Sequence, residues 1–468
     1  MKNYNKISHE LLKELELVFD RNFIFTDEEI LNEYSHDETE NLSFPAEVLL
    51  KPGDSSEVSA IMKFAFEKNI PVTPIGARTG LSGGALCLYG GIGLSMERFN
   101  KIISIDEDNL QLVVEPGVIT QELQQEVAKK GLYYAPDPAS RGTCYIGGNI
   151  AENSGGPRAV KYGVTKDFVL NLEVVLPNGK IIQTGADTLK NSTGYNLTQL
   201  MVGSEGTLGV VTKATLKLIP HPSLNKLILV PFKSALDACA AVSSIFKAGI
   251  VPSAMEFMER FAVDWTIKYI DDAHLEMKDN VEALLLIEVD GNNEELLFED
   301  IQNIVQVVET HNCDDDILFA EDEAQKEQLW FIRRRIGEAV KVNSIYKEED
   351  TVVPRFKLPD LLKGVKEIGN KYGFESVCYG HAGDGNLHVN IIKGDLTQDQ
   401  WDNELKIAIR EIFELTVSLG GTISGEHGIG LVQKPYMDIP FKSVELDVMR
   451  GIKNVFDPSG ILNPGKIF

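Results

Sequence analysis

The most informative stretch of this sequence is PIGARTGLSGG, residues 74–84. It follows a short apolar segment of strand character and opens a run of seven glycines in eighteen positions, residues 76–93. A second glycine cluster, residues 147–156, lies downstream. Glycine lets backbone N–H groups approach a ligand closely, and successive N–H groups form a nest for anions. We therefore interpret the two clusters as ligand-binding loops rather than mobile loops.

These loops do not match the common phosphate-binding or nucleophile signatures. A Walker A loop requires a lysine after its second glycine, but Gly80 is followed by Leu81. The dinucleotide fingerprint requires a glycine three residues after Gly93, where Met96 stands. Residues 80–84 match the G-x-S-x-G elbow of serine hydrolases, which must precede a helix. The segment that follows, ALCLYGGIG, is poor helix material, so a hydrolase is disfavoured.

The composition limits the classes of function. The chain has 468 residues, 43% of them hydrophobic, with 45 basic and 70 acidic side chains and a net charge of −25. Such an acidic protein is not expected to bind nucleic acid or an anionic membrane. There is no run of 18 apolar residues and no apolar signal-peptide core, which predicts a cytoplasmic protein without a transmembrane segment. The five cysteines form no C-x-x-C pair, so no iron–sulfur cluster is expected within the chain.

Local patterns predict an α+β protein. Apolar residues at i, i+3, i+4 and i+7 from Val58 predict an amphipathic helix. The best domain boundary is Pro220-His221-Pro222, because two prolines so close break regular structure. Before it, short β segments alternate with glycine turns, and after it strands alternate with amphipathic helices. The predicted segments are 1–40 (helical), 41–221, 222–400 and 401–468.

Histidines concentrate near the C-terminus. His381 and His388 flank a glycine turn in HAGDGNLH, and Glu426 precedes His427 in SGEHG. A lone histidine is more often structural, but two imidazoles with a carboxylate suit zinc, iron(II) or manganese. Residues 333–335 form the one basic triplet, which is either a solvated helix face or an anion-binding group.

Five motifs occur in one order: residues 74–84, PGV at 116–118, PDP at 136–138, IGGNIAENSGG at 146–156 and GSEGTLG at 203–209. From about residue 40 to the C-terminus, the chain resembles the FAD-linked oxidoreductases of the vanillyl-alcohol oxidase and p-cresol methylhydroxylase type. The most similar branch contains the glycolate oxidase flavoprotein subunit, D-lactate dehydrogenase and D-2-hydroxyglutarate dehydrogenase. Any one motif alone is weak, whereas five in order are highly specific.

The resemblance implies a two-subdomain FAD-binding domain (41–221), an α+β substrate or cap domain (222–400) and a C-terminal helical segment that returns to the flavin (401–468). FAD is expected to be non-covalent: no histidine lies between His36 and His221, and although Cys144 is close to the flavin motif, a link through it is not expected. The implied cofactor-binding residues are Pro74, Gly76, Arg78, Thr79, Gly80, Leu81, Ser82, Gly83, Gly84, Pro116, Gly117, Val118, Pro138, Gly147, Gly148, Asn149, Ala151, Asn153, Ser154, Glu205, Gly206, Val210 and Asn463.

The resemblance also implies catalytic roles. His381, His388 and Glu426 become metal ligands, and His427 becomes the base that removes the substrate hydroxyl proton. Arg333 is expected to anchor the substrate carboxylate. Two further candidates for substrate contact are Asn390, on the strand face of His388, and Lys347, whose surroundings depart from those of the hydroxyglutarate dehydrogenases.

The expected activity is oxidation of a D-2-hydroxy acid (D-lactate, glycolate or D-2-hydroxyglutarate) with hydride transfer to flavin N5. Electrons would pass to a separate acceptor: an electron-transfer flavoprotein, an iron–sulfur subunit or a quinone. The alternatives are an oxidase that uses oxygen and a flavoprotein subunit of an electron-transfer complex. The oligomeric state stays open, with a homodimer as one candidate.

Overall fold

A computed structural model describes residues 3–468. The α-helices are α1 (His9–Leu15), α2 (Glu28–Glu33), α3 (Ser55–Lys68), α4 (Thr120–Ala128), α5 (Ile146–Glu152), α6 (Ala159–Tyr162), α7 (Thr165–Phe168), α8 (Leu197–Met201), α9 (Ala235–Lys247), α10 (Arg260–Tyr269), α11 (Glu294–Glu309), α12 (Glu323–Asn343), α13 (Leu358–Tyr372), α14 (Leu405–Ser418) and α15 (Ser443–Phe456). The strands are β1 (Ile24–Phe25), β2 (Val48–Leu50), β3 (Val72–Ile75), β4 (Ile92–Ser95), β5 (Ile102–Asp106), β6 (Gln111–Val114), β7 (Leu132–Tyr133), β8 (Val169–Val175), β9 (Ile181–Gln183), β10 (Val210–Lys217), β11 (Ile219–Pro220), β12 (Leu224–Phe232), β13 (Ala254–Glu259), β14 (Ala283–Gly291), β15 (Leu318–Phe319), β16 (Tyr346–Val352), β17 (Glu375–Gly380) and β18 (Asn386–Ile392).

The chain divides into two compact units. Unit 1 contains the described residues through Gly155, then Gly163–His221 and Glu426–Phe468. Unit 2 contains Gly156–Tyr162 and Pro222–Gly425. The division at residues 221 and 222 falls at the proline pair of the sequence. The structure joins residues 3–40 to unit 1 and divides the C-terminal segment between the units after Gly425.

Unit 1 is built on two main sheets. In the first, with strand order β1-β2-β4-β3, the strands β2, β4 and β3 run parallel and β1 is antiparallel. The second is antiparallel, in the order β5-β6-β10-β8-β9. Helix α3 packs onto the first sheet through Val58, Ile61, Met62 and Ala65, which confirms the predicted helix face. Residues 76–91 contain neither helix nor strand, so residues 80–84 lack the helix that a nucleophile elbow requires.

The N-terminal segment differs from the helical prediction. Residues 3–40 contain two short helices, α1 and α2, separated by strand β1, which pairs with β2. Asp20 accepts a hydrogen bond from the backbone N–H of Asn22, and Asp27 accepts from those of Glu29 and Ile30. Each aspartate starts a new turn and so interrupts a continuous helix. The predicted residues 1 and 2 of this segment lie outside the described part of the chain.

Unit 2 is built on a seven-stranded antiparallel sheet with the order β15-β12-β14-β13-β17-β18-β16. Helix α12 packs onto one face through Trp330, Ile336 and Val340, which join a core that includes Met258 and Leu284. The β16–β18 ladder places Glu348 opposite Asn390 and Asp350 opposite His388. This register determines which side chains share the α12 face.

We predict that Gly91→Ala destabilises unit 1 more than Gly131→Ala. Both glycines have φ near +70°, so alanine costs roughly 1–2 kcal/mol of strain at either position. A Cβ atom at Gly91 would lie 2.3 Å from the Pro71 carbonyl oxygen, whereas one at Gly131 meets no atom within 4 Å. Thermal unfolding of the two variants should therefore give a clearly lower Tm for Gly91→Ala, and equal losses would contradict this steric reason.

Candidate active site

The glycine loops and the motifs around them converge on one cavity in unit 1. Most of the proposed cofactor-binding residues line it: Pro74, Gly76, Arg78, Thr79, Gly80, Leu81, Gly84, Pro116, Pro138, Gly147, Gly148, Asn149, Ala151, Ser154, Glu205, Gly206, Val210 and Asn463. The lining also includes polar side chains outside the proposed set: Asp37, Ser140, Tyr145, Glu152 and Ser204. Glu152, at the end of α5, and Ser204 lie within the motifs of the sequence, whereas Asp37, Ser140 and Tyr145 lie outside them.

Five of the proposed residues do not line the cavity: Ser82, Gly83, Gly117, Val118 and Asn153. The backbone of Gly117 donates a 2.7 Å hydrogen bond to Phe99, and the Ser82 carbonyl accepts one of 2.7 Å from Leu431. Asn153 ends α5 in the left-handed region, with φ +57°. The hydrogen bonds of Gly117 and Ser82 connect their loops to other segments of unit 1.

The cavity fits an extended cofactor that approaches backbone closely. Gly80 and Gly148 line it, and a Cβ atom at either position would meet no protein atom within 4 Å. Side chains at these positions would therefore extend into open space beside the cavity. Arg78 has φ +62°, and its guanidinium stacks 4.1 Å from the Tyr34 ring centroid and donates to the Glu33 carbonyl.

A group of buried acidic side chains borders the same cavity. The Glu205 carboxylate accepts hydrogen bonds from the backbone N–H groups of Ile429 (2.8 Å) and Gly430 (2.6 Å). Burial raises the pKa of Glu205 to about 7, although these two N–H donors lower it. Burial, followed by the charges of Glu205 and Asp37, raises the pKa of Glu152 well above 4.5. The Glu152 Oε2 atom is buried without a hydrogen-bond partner.

Glu426 and His427 belong to unit 1 and line this cavity. The residue that follows them, Gly428, has φ +78°, and a Cβ atom there would lie 2.0 Å from Glu152 Oε2. Glu205 accepts hydrogen bonds from the next two N–H groups, so one buried carboxylate holds the backbone after His427. The structure thus brings the proposed base to the proposed cofactor cavity.

A second polar group lies in unit 2, on the sheet face covered by α12. We call it the histidine cluster and define it as Glu256, Arg333, Glu348, Asp350, His381, His388 and Asn390. The imidazoles of His381 and His388 have ring centroids 5.5 Å apart. His381 Nδ1 is 2.9 Å from both carboxylate oxygens of Glu256, and His388 Nδ1 is 3.1 Å from Glu348 Oε1. Each imidazole therefore faces a carboxylate through Nδ1.

Glu256 is fully buried at the centre of the cluster. Arg333, which is 7% exposed, brings its NH2 atom to 2.6 Å from Glu256 Oε2. Burial alone would raise the pKa of Glu256, but the charges of His381 and Arg333 outweigh it and hold that pKa below its ordinary value. The Arg333 Nε atom is buried and has no hydrogen-bond partner, so part of the guanidinium remains available to a ligand.

The strand register separates two of the proposed substrate contacts. Asn390 is fully buried, and neither amide atom has a hydrogen-bond partner. Lys347 pairs with Ile391, whereas Glu348 pairs with Asn390, so Lys347 points to the opposite face of the sheet. Lys347 is therefore not brought together with the cluster, and Glu348 takes the place expected for it. The reason is the period of two in a strand, which the sequence prediction did not apply to β16.

Asp350 is the third acidic residue of the cluster. Its carboxylate accepts hydrogen bonds from the Asn386 amide (2.6 Å), the Gly425 N–H (2.7 Å) and the Ser424 hydroxyl (3.2 Å). Sequence reasoning missed Glu256, Glu348 and Asp350. Residues i and i+2 of a strand share a face. The spacing of Glu348 and Asp350 could therefore have indicated that both carboxylates lie on the same face of β16.

Known proteins resemble this chain in both sequence and fold. Residues 221–467 match the family described as FAD linked oxidases, C-terminal domain, and residues 46–185 match the FAD binding domain family. A D-lactate dehydrogenase of Anaerostipes hadrus is 38% identical, with 99% of this chain and 98% of the relative covered. The glycolate oxidase subunit GlcD of Bacillus subtilis (strain 168) is 39% identical, with 93% and 92% covered. The fold resembles p-cresol methylhydroxylase, with a TM-score of 0.79 at 14% identity over 100% of this chain and 98% of that one.

Within residues 3–468, no helix combines the length and apolar character needed to cross a membrane.

We predict that Glu152→Gln stabilises the holoenzyme more at pH 8 than at pH 5.5. A carboxyl whose pKa is raised in the fold costs stability as the pH rises above its ordinary value of 4.5, and glutamine does not titrate. Each kcal/mol recovered shifts Tm by roughly 2–4 °C for domains of this size. The control is Glu67→Gln, which removes an exposed carboxylate of α3 in the same unit. Equal Tm shifts at both pH values for Glu152→Gln would contradict the buried-charge explanation.

Proposed function

The chain belongs to the family of FAD-linked oxidases, and on that premise we propose that it is an FAD-dependent dehydrogenase that oxidises a small D-2-hydroxy acid to the 2-oxo acid with the help of a divalent metal ion. The observation that carries the proposal is the histidine cluster, in which His381 is hydrogen-bonded to Glu256 and His388 lies 3.1 Å from Glu348, beside the buried Arg333. The names of the two relatives, a D-lactate dehydrogenase and a glycolate oxidase subunit, agree with this class of substrate.

We assign FAD to the cavity of unit 1, bound without a covalent link. Bound FAD supplies the hydride acceptor, its N5 atom. The glycines in the cavity wall allow backbone N–H groups to lie close to the cofactor. The side-chain amide of Asn463 donates hydrogen bonds to the carbonyls of Gly84 and Glu205 and so connects the segments that line the cavity. Cys144 also lines the cavity, and its sulfur contacts the Thr120 hydroxyl at 3.3 Å.

The donor set of the histidine cluster fits a divalent cation. An imidazole that donates its Nδ1 proton to a carboxylate presents the Nε2 lone pair to a metal, the usual outer-shell arrangement of metal-binding histidines. The cluster contains three carboxylates and one guanidinium, so with neutral imidazoles it carries a net charge of −2. An anionic substrate needs further positive charge to bind there. A bound metal ion supplies it and acts as a Lewis acid on the substrate hydroxyl.

In this proposal His381 and His388 are ligands in unit 2, and Glu426 completes the set. The support for Glu426 is the motif SGEHG, which continues directly from Gly425, the last residue of unit 2. His427, next in the chain, removes the hydroxyl proton. Arg333 binds the substrate carboxylate through its remaining N–H groups, and the amide of Asn390 offers a second polar contact.

The electrons leave through a separate acceptor. The five cysteines are all free and widely spaced in the sequence, so this chain supplies no set of thiolates for an iron–sulfur cluster. An electron-transfer flavoprotein, an iron–sulfur subunit and a quinone are the candidate acceptors, and oxygen is the alternative. Oxygen consumption with substrate alone separates an oxidase from a dehydrogenase.

Anaerobic mixing with a panel of D- and L-2-hydroxy acids tests the proposed activity. We expect the yellow holoenzyme to lose its flavin absorbance with D-lactate or glycolate, and denaturation to release FAD. No bleaching with any member of the panel would overturn the proposed activity. A released cofactor other than FAD would overturn the cofactor assignment.

Metal analysis tests the histidine cluster. We predict that His381→Ala loses the metal and most activity but retains FAD, because its ligand atom is removed while the cavity of unit 1 is unchanged. Glu256→Gln should weaken metal affinity roughly 10–100-fold, the usual cost of losing an outer-shell partner. The matched control is Glu288→Gln, which removes another buried carboxylate of the same sheet that is bonded to Trp330 and Arg158. Fully active wild-type protein without divalent metal would contradict the proposal.

A further inference from the structure

Tyr379 lies beside the histidine cluster and packs against two of its members. It is 6% exposed, and the β17–β18 ladder sets it opposite His388. Its ring centroid is 5.3 Å from that of the His388 imidazole, with an angle of 38° between the ring planes. The guanidinium carbon of Arg333 lies over the same ring, 5.1 Å from its centroid. One aromatic ring therefore adjoins both the proposed substrate anchor and a proposed metal ligand.

Gly337 leaves room for this tyrosine on helix α12. It follows Arg333 by four residues, so the two positions lie on the same side of the helix. A Cβ atom at Gly337 would be 3.1 Å from the Tyr379 hydroxyl oxygen, which is closer than ordinary van der Waals contact. Glycine is less favourable than alanine within a helix, and this contact gives a physical reason for glycine here. The tyrosine thus has its ring at Arg333 and its hydroxyl at Gly337.

Glu256 and Tyr379 adjoin different parts of the Arg333 guanidinium. Glu256 Oε2 lies 2.6 Å from the NH2 atom, whereas the Tyr379 ring lies against the central carbon. The Nε atom is buried and makes no hydrogen bond. A guanidinium binds a carboxylate best through two parallel N–H groups, so its orientation determines how well it binds. A cation over an aromatic face is held most firmly where water is excluded, as it is between these two buried side chains.

We propose that Tyr379 is a positioning residue for substrate binding. Its ring holds the Arg333 guanidinium in the orientation that binds the carboxylate of the 2-hydroxy acid, and Gly337 provides the space that the tyrosine needs. This inference rests on the proposed function, in which Arg333 is the substrate anchor. In this role Tyr379 acts through its ring and not through its hydroxyl. Because every 2-hydroxy acid carries the same carboxylate, the contribution is shared by all of them.

Two variants at position 379 separate the ring from the hydroxyl. The substrate is D-lactate or glycolate, whichever bleaches the wild-type flavin, and its 2-oxo acid, pyruvate or glyoxylate, is titrated into the oxidised holoenzyme while the flavin spectrum is recorded. We expect Tyr379→Leu to raise KM and the Kd of the 2-oxo acid roughly 2–30-fold, the range that a cation–π contact contributes. Tyr379→Phe keeps the ring and should bind both compounds as the wild type does. A wild-type Kd in Tyr379→Leu would overturn the inference.

The division between KM and kcat distinguishes positioning from a general loss of structure. We expect Tyr379→Leu to keep its FAD, its metal and its kcat at saturating substrate, because the loss is in binding. The matched control is Phe257→Leu, which removes a buried ring from the opposite face of the same sheet, since the next residue, Met258, is the one paired with Tyr379. This control can lower Tm but should leave KM unchanged. Metal loss in Tyr379→Leu would assign the ring to His388 and contradict the proposal.

The contact can also be tested from α12. Gly337→Ala presses on the Tyr379 hydroxyl and should raise KM, and adding Tyr379→Phe removes that hydroxyl and should restore KM. The control, Gly451→Ala, makes the same change within α15, where a Cβ atom meets no atom within 4 Å. A wild-type KM in Gly337→Ala would refute the role of Gly337, as would an equal rise with tyrosine or phenylalanine at position 379.

A double-mutant cycle shows whether the ring acts through Arg333. In the Arg333→Ala background, Tyr379→Leu should raise the Kd of the 2-oxo acid no further, because the guanidinium that the ring positions is gone. An undiminished effect of Tyr379→Leu without Arg333 would overturn the inference. Failure of the proposed function has a different signature, since then no 2-hydroxy acid would bleach the flavin of the wild-type enzyme.

Discussion

The pairing of β16 with β18 is the constraint on which the chemistry proposed for unit 2 depends. Its register aligns Glu348 with Asn390 and Asp350 with His388, and the neighbouring β17 brings Tyr379 opposite His388. A shift by one residue would turn all of these side chains to the other face and present Lys347 and Glu349 instead. Burying three carboxylates on one face is costly unless each has partners. The two imidazoles, Arg333 and the N–H groups near Gly425 supply those partners.

In unit 1 the main structural requirement is that the backbone lies close to a large cofactor. Its glycine loops meet directly: a Cβ atom at Gly76 would lie 3.9 Å from the backbone of Gly148, and one at Gly147 would lie 2.6 Å from Pro116 Cβ. A side chain at Gly147 would therefore push its loop away from Pro116, whereas a Cβ atom at Gly76 would be in ordinary contact with Gly148. Glu205, which borders the cavity, also accepts hydrogen bonds from the backbone that follows His427 and so holds that segment in place.

Sequence reasoning identified those parts of the candidate site that depend on local pattern. The glycine motifs, the helix face that begins at Val58 and the histidines around the turn at 382–387 are all short-range signals. The parts that it missed depend on contacts between distant segments. Glu256 and His381 are 125 residues apart in the chain, and no spacing rule connects them. The prediction for Lys347 differs from the structure for a simpler reason. The strand register determines whether Lys347 or Glu348 shares a face with Asn390, and it places Glu348 there.

Asp350 is a buried carboxylate whose role in the candidate site is to position other residues. It stands opposite His388 in the ladder, and its oxygens accept hydrogen bonds from Asn386, Ser424 and Gly425. These bonds fix the last residues of unit 2, from which the chain continues to Glu426 and His427. Removing one partner from a buried network of this kind leaves an unpaired charge, which costs more than the lost bond itself. The SGEHG motif therefore depends on a residue some 75 positions earlier, because its first two members take their positions from Asp350.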